Sequence, residues 1–446
     1  MKKNFFVKCA SIGLAAITVS TSLVACNRKQ SAGDIEGYGA WKGGVVYKVD
    51  DKKINGYTFR VSAYRDFSSD PLNHEYADGA EKFMKDHPGT NVKYLTVGDH
   101  APQSIAAAIA AGDVWDLQYV FTCSQMPGDI VDGIYEPIDG YFNLNDKRIN
   151  KKSIMGGYFD GHYYGVSNEV MNEMMYVSYN ENVFKENGIK TPHEYYKEGK
   201  WNFDAFFDIC KQLKEKGLKI NTGKMVRPDW ILKKATKWNA DYTKADVILD
   251  SNDTRQYLDK LKTIAYDYKL ENEKGGSVAK REVALSCDVV PNVLITNSGS
   301  ETADTIRYIY FPSTLKEEIG PHIYVTDAQF MTPTGSNQKM KAGAVELGIC
   351  MGMGRKDYLM DYYKKSMSPD DYNLLMESMK NEKPLPRGFS PDFMYYNFAF
   401  YAHMMTGEPV ATYISEIKTK LDTCAKSFNQ KIEEYRQDTG LSDEKK

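Results

Sequence analysis

Apolar residues recur along this chain with two periods, and the switches between them outline strands and helices. Thr58–Tyr64 alternates apolar and polar side chains, the signature of a strand with one covered face. Ala77–Asp86 has helical spacing and meets Gly89 soon after. Asn91–Val97 reads as a second strand, Gln103–Ala111 as an alanine-rich helix stopped by Gly112, and Trp115–Phe121 as a buried strand. Strands alternating with helices predict a largely parallel sheet covered on both faces. Met174–Tyr179 is a nearly continuous apolar run that suits a fully buried strand, and Asn180 then opens a short helical turn ended by Gly188. Asn202 or Asp204 caps a helix whose apolar face is Phe203, Phe206, Phe207, Ile209, Cys210 and Leu213. Trp230–Asn239 and Asp253–Asp267 also read as helices. The last third is helical, with a break at Pro384-Leu-Pro386-Arg-Gly388.

The first 25 residues carry a different pattern. Lys2, Lys3 and Lys8 form a positive end, and Cys9–Ala25 is a charge-free stretch of small and apolar residues. It is short for a membrane span and reads as an export signal. It ends in Leu23-Val24-Ala25-Cys26, which resembles the lipobox of bacterial lipoproteins. That resemblance implies cleavage before Cys26 and lipidation of its thiol. A further acyl chain on the freed amine would give lasting anchorage. Asn27 to about Lys53 is polar and Gly-rich, a tether in which Tyr38 and Trp41 are the side chains suited to docking. Beyond it no apolar run reaches membrane length, which excludes an integral transporter.

The exported part, roughly 420 residues, exceeds one usual core, so two lobes are expected. The whole chain carries a formal charge of −3, and residues 1–25 hold three lysines and no acid, so the remainder carries about −6. A mildly acidic surface argues against nucleic acid. Five cysteines remain besides Cys9 and Cys26: Cys123, Cys210, Cys287, Cys350 and Cys424. They are scattered, support neither a zinc site nor a redox motif, and read as free thiols buried in the core, with a disulfide left open as the alternative.

Catalytic patterns are missing. His74-Glu75 and His193-Glu194 begin a zincin motif, but Asp78 and Lys197 stand where its second histidine belongs. There is no Gly-x-Ser-x-Gly elbow and no phosphate-binding loop. Gly348-x-x-x-Gly352-x-Gly354 follows a helical pattern and reads as a helix end or close packing. A pair of glycosidase carboxylates leaves no linear motif, so a glycan-acting enzyme stays open as the alternative to a binding protein. No cofactor or metal is expected.

The order of the motifs resembles family 1 extracellular solute-binding proteins. The family's Gly-x-x-Tyr-Gly-x-Pro, Tyr-Asn-Lys-x-x-Phe, Gly-Ile/Val-x-x-Pro and Trp-Thr-Trp-Asp-x-Phe appear here as Gly161-x-x-Tyr164-Gly165, Tyr179-Asn180-x-x-x-Phe184, Gly188-Ile189-Lys-Thr-Pro192 and Trp201-Asn-Phe203-Asp204-x-Phe206. Ser167 replaces the usual proline, and one extra residue separates Asn180 from Phe184. Ala111-Gly112-Asp-Val-Trp115-Asp116-Leu117 and Glu136-Pro137-Ile138-Asp139 resemble two earlier motifs. Leu232–Trp238 resembles the family's first cleft-side helix, Glu282–Val289 a strand entering the cleft, Ile306–Pro312 a later strand, and Ala328–Ala342 the return strand with Gly335-Ser336-Asn337. The resemblance covers about residues 55–436.

It implies an α/β, two-lobed, periplasmic-binding-protein-like fold of type II with a hinge and an interlobe cleft. The segments would be residues 1–25 (signal), 26–53 (tether), 54–166 (first lobe), 167–322 (second lobe) and 323–446 (a return contributing to both lobes). It further implies a monomeric, lipid-anchored receptor on the extracytoplasmic face of the membrane. That receptor would deliver a carbohydrate, expected to be an oligosaccharide, to the permease of an ABC importer, with no enzymatic activity.

In such a fold the ligand sits between lobes at the carboxyl ends of strands. Sugars favour aromatic faces and planar polar groups. The candidates are Asp66 and Phe67, beside Arg65, after the first strand, and Ser124 and Gln125 after the third. Asn168 and Glu173 lie at the crossover, where sugar-binding relatives commonly place an acid. Trp230, Asp288 and Asn292 come from the second lobe, and Phe389, Tyr395 and Tyr396 from the late break.

Overall fold

The computed structural model describes residues 43–70, 74–97, 102–121, 126–167, 175–221, 236–270, 272, 275–297, 303–312, 323–325, 328–384 and 406–438. The chain joins the folded body earlier than its polar composition predicts. Leu144 N donates to the Gly43 carbonyl at 2.9 Å, and Val46 N and Tyr47 N donate to Gly140 O at 2.7 and 3.0 Å. Tyr47 stacks on Tyr141 with ring centroids 4.5 Å apart. Residues 43–53 are therefore docked chain, which corrects the tether's extent. Tyr38 and Trp41 lie outside the described residues.

The first lobe begins with β1 (Thr58–Ala63), α1 (Glu75–Asp86), β2 (Asn91–Thr96), α2 (Pro102–Ala111), β3 (Leu117–Phe121) and the short α3 (Gly128–Val131). A small hairpin, β4 (Tyr158–Phe159) and β5 (His162–Tyr163), leads into β6 (Gly165–Val166). β1 pairs in parallel with β2, Thr58 opposite Asn91, and with β3, Val61 opposite Leu117. The motif aspartates are structural ties. Asp116 accepts from Arg60 N at 2.8 Å and from the Tyr57 hydroxyl at 2.7 Å, pinning the start of β1 to the start of β3. Asp139 accepts from Tyr163 N at 2.9 Å and pairs with His162 Nδ1 at 2.6 Å.

The second lobe holds β7 (Met175–Asn180), α4 (Glu181–Glu186), α5 (Pro192–Lys197), α6 (Phe203–Glu215), β8 (Ile220–Asn221), β9 (Thr236–Trp238), β10 (Ala245–Val247), α7 (Asn252–Lys262), β11 (Leu285–Val289), α8 (Val290–Asn297) and β12 (Ile306–Tyr310). Its main sheet has the order β12-β7-β11-β8, with β7 antiparallel to both neighbours and all six of its residues buried. Three helix starts have side-chain caps that the sequence marks: Asn180 for α4, Thr191 with Glu194 as a capping box for α5, and Asn202 for α6. The helix expected over Trp230–Asn239 is corrected at its end. Thr236–Trp238 is a strand paired with β10, because the Asn239 side chain closes a turn by accepting from Thr243 N and Lys244 N at 2.8 and 3.0 Å. The Leu232–Trp238 likeness to a cleft-side helix ends with it.

The return comprises β13 (Ile323–Val325), β14 (Ala328–Met331), α9 (Lys341–Ser366), α10 (Pro369–Lys380), β15 (Glu382–Pro384) and α11 (Val410–Asp438). β14 inserts between β3 and β6, antiparallel to both, giving the order β2-β1-β3-β14-β6. The sheet is thus mixed, and the parallel arrangement expected from the sequence holds only for β1–β3. Glu136 anchors the turn before α9, accepting from Gly335 N at 2.9 Å and from buried Lys341 Nζ at 2.8 Å. The glycine set in α9 serves close packing. A Cβ on Gly354 would lie 2.7 Å from Gly79 N, and one on Gly79 2.6 Å from Met351 Cα, so α1 and α9 touch backbone to backbone. Glu75 and Arg355 form a buried ion pair beside this contact at 2.8 Å. Cys210, Cys287 and Cys350 are buried and Cys424 half-buried; Cys123 lies outside the described residues.

Candidate functional site

The strand directions locate the place where a ligand could touch both sheets. β1, β2, β3 and β6 run the same way, ending at Ala63, Thr96, Phe121 and Val166. In the second sheet β8, β11 and β12 run together, ending at Asn221, Val289 and Tyr310, while β7 begins at that edge. The chain leaves Val166 for Met175, and later leaves Tyr310 for Ala328. Both crossings thus join the carboxyl edge of one sheet to the carboxyl edge of the other, the position at which α/β folds bind ligands.

At the first edge the loop after β1 is well defined. The Asp66 Oδ1 atom accepts from Ser68 N at 2.9 Å and Ser68 Oγ at 2.6 Å, while its carbonyl accepts from Ser69 N and Asp70 N. The carboxylate therefore shapes a turn. Phe67, expected at the ligand, is instead core. It has no exposed surface, and its ring sits 4.6 Å from Tyr76 and 5.4 Å from Tyr119. The aromatic cluster beneath the sheet claims that side chain, because burying a ring there outweighs leaving it at a loop surface. Arg65, just before them, is exposed, 3.6 Å from the Asp70 carboxylate with its guanidinium 5.5 Å from the Tyr64 ring.

At the second edge, Asp288 lies one residue from the end of β11, opposite Tyr176 of β7, and is half-buried. Asn292 falls within α8, directly after that strand. Ser124, Gln125, Asn168, Glu173, Trp230, Phe389, Tyr395 and Tyr396 lie outside the described residues, as does Cys26.

The strongest buried electrostatics sit away from this edge. At the far end of β7, Tyr179 Oη is 2.8 Å from His193 Nδ1, and His193 Nε2 is 3.0 Å from Asp371. Arg307 completes the group at 2.8 Å, and Asp371 titrates below the usual carboxylate range. Although burial pushes its carboxyl up, the hydrogen bonds and charges of His193 and Arg307 win. Asp129 on α3 behaves oppositely. Burial raises it to about 8, Asp132 adds to the rise, and Lys431 opposes it only weakly. Its sequence context, Gly128-Asp-Ile-Val, gave no sign of this, since the cover comes from α11, some 300 residues later.

Residues 74–290 match the profile of the bacterial extracellular solute-binding protein family. That stretch, just under half of the chain, belongs to the family. No curated protein sequence matches it. Among solved structures, the chain resembles the galacto-N-biose-/lacto-N-biose I-binding protein of the ABC transporter from Bifidobacterium longum. The TM-score is 0.63 at 13% identity, over 84% of this chain and 98% of that one. The cyclic alpha-maltosyl-1,6-maltose binding protein from Arthrobacter globiformis aligns with a TM-score of 0.60 at 14% identity, over 83% and 99%. UgpB from Mycobacterium tuberculosis, solved with glycerophosphocholine, aligns at 0.61 and 13%, over 83% and 98%. At such identities the likeness is one of fold: two lobes of the periplasmic-binding-protein type. No helix among the described residues is long and apolar enough to cross a membrane.

Proposed function

We propose that this solute-binding protein is a lipid-anchored receptor that takes up a carbohydrate, an oligosaccharide by preference, and presents it to the permease of an ABC importer. The observation that carries the reading is the meeting of the two carboxyl strand edges at both interlobe crossings, in a chain whose structural relatives include sugar receptors. Asp66, Asp288 and Asn292 are proposed to line the site, with Ser124, Gln125, Asn168, Glu173, Trp230, Phe389, Tyr395 and Tyr396 completing it. Closure then follows from ligand contacts made by both lobes at once. The lobe boundaries of the sequence reading, with the lobes meeting near residues 166 and 322, are kept as part of this proposal, and the receptor acts as a monomer.

Binding rather than catalysis is supported by the placement of the perturbed acids. Asp371 is committed to an ion network with His193 and Arg307, and Asp129 is covered by packed helices. A second reading is favoured by the equally similar UgpB, whose structure holds glycerophosphocholine: a polar non-sugar solute. Calorimetry of the purified protein against a panel of oligosaccharides and glycerophosphodiesters tests the two together. Saturable heat from one class and none from the other decides between them. Heat from neither removes both.

A further inference from the structure

The longest described helix has an uneven grip on the two lobes. α11 contains 29 residues, about 44 Å of helix. Its first half buries Tyr413, Ile414, Ile417 and Leu421, and packs along α7 of the second lobe. Its second half reaches the first lobe. There Tyr435 Oη lies 3.3 Å from Tyr164 Oη, and the Tyr435 ring centroid 5.9 Å from that of Phe159. Lys431 Nζ pairs with Asp132 at 3.1 Å, and Arg436 Nε with Asp160 at 3.2 Å.

The β9–β10 hairpin of the second lobe is bound into the same junction. Asn429 accepts from Ala245 N and donates to Ala245 O, both at 3.0 Å, much as a neighbouring strand would. The Trp238 and Phe428 rings meet edge to face at 5.6 Å. The turn of this hairpin then reaches across the lobes, where Asp160 N donates to the Asp241 carbonyl at 3.1 Å.

We infer that α11 is a strap laid over the junction, fixed to the second lobe and releasable from the first. The two grips differ in kind. The second-lobe half is held by buried apolar side chains. The first-lobe half adds to its apolar contacts two ion pairs: Lys431–Asp132, 44% and 48% exposed and so individually weak, and Arg436–Asp160, in which only the arginine is open to solvent, at 40% against 10%. Opening of the lobes therefore begins with release at Lys431–Asp438, and the Asp160–Asp241 backbone bond parts with it. This inference concerns the ligand-free molecule and stands whatever solute is bound.

Amide exchange followed by mass spectrometry on the full-length protein without ligand tests it. The variant Lys431→Asp with Arg436→Asp turns both attractions into repulsions. Exchange should accelerate about tenfold in residues 427–438 and in 158–164, which contain the Asp160 amide, while residues 413–421 and β7 keep their wild-type rates. Adding Asp132→Lys re-forms one pair with its charges exchanged and should return a large part of the protection. Three results overturn the strap: unchanged exchange throughout, acceleration in 427–438 without any in 158–164, or acceleration spread equally over 413–421 and β7. The last would mark α11 as ordinary packing.

Discussion

Asn180 Nδ2 lies 2.8 Å from Asp304 Oδ2, while Oδ1 of the same side chain accepts from Val183 N at 3.1 Å. Nδ2 also donates to the Val278 carbonyl at 3.2 Å, so this buried asparagine joins three segments of the second lobe. Asn180→Ala should cost roughly 2–4 kcal/mol, because it removes a helix cap and strands buried polar partners. Denaturant unfolding measures it. A loss below about 0.5 kcal/mol would show that water replaces the side chain freely. Arg281 and then Asn180 hold the Asp304 carboxyl down at about 2. The stability from that depressed carboxyl is present above about 4 and is lost as pH falls towards 2; Asn180→Ala should weaken that acid dependence.

Gly79 and Gly354 face each other where α1 crosses α9. In an exposed helix, Gly→Ala gains about 1 kcal/mol. Here the added methyl meets main chain that has no rotamer to yield, so Gly354→Ala should lower the unfolding midpoint, by about 1–3 kcal/mol or more. A rise in the midpoint would mean that the two helices can part at little cost.

Asp129 gives a prediction of opposite sign. With its folded pKa near 8, against an ordinary value of 3.8, it keeps a proton that the unfolded chain releases. Stability is therefore lost progressively as pH rises from about 4 to 8. Asp129→Asn should stabilise the protein by a few kcal/mol, on the order of the linkage for such a shift, at pH 8 and hardly at all at pH 4. Parallel melting curves for variant and parent across that range would contradict the burial argument.

For the ligand site, Trp230→Ala and Glu173→Gln should each weaken binding by about tenfold, the equivalent of ~1.4 kcal/mol. The unliganded melting temperature should stay where it is. A large fall in melting temperature for Trp230→Ala would instead make that residue core, the fate the structure gives Phe67.

Cys26→Ser should release the protein from membranes, since serine cannot carry the thioether lipid. Fractionation of cells checks this, and a variant still sedimenting with membranes would remove the lipobox from the account.

Much of the framework was legible in the sequence, for reasons these residues illustrate. Of the apolar run predicted over Met174–Tyr179, Met175–Tyr179 lie in a strand buried on both faces, and Asn180 and Asn202 cap helices as their positions suggest. The family motifs proved legible because they hold backbone together: Asp116 ties β1 to β3, Asp139 fixes the β5 hairpin, and Glu136 seats the Gly335 turn. Those are constraints of the fold, and they say little about the ligand. What the sequence hid depends on distant chain. Phe67 follows a strand as a binding residue would, yet Tyr76 and Tyr119 draw it inward. Thr236–Trp238 has helical periodicity, but Asn239 turns it into a hairpin that α11 covers. Asp129 stands in a polar turn whose burial is decided some 300 residues later.

The place of β14 also bears on the order in which the molecule can be assembled. The strand that fills the gap between β3 and β6 is drawn from residues 328–331, after every strand of the second sheet. As the chain emerges from its amino end, residues 175–310 can close their four-stranded sheet without waiting for anything downstream. Residues 58–166 cannot. The β3 edge of their β1–β3 unit stays open, and β6 has no partner in the sheet, until 328–331 arrives and α9 covers the face. Loop-closure entropy makes such long-range pairing slow, and an unpaired edge is prone to wrong partners. The sheet that starts first is thus the one that finishes last, and its exposed strands are where a chaperone outside the membrane would find work.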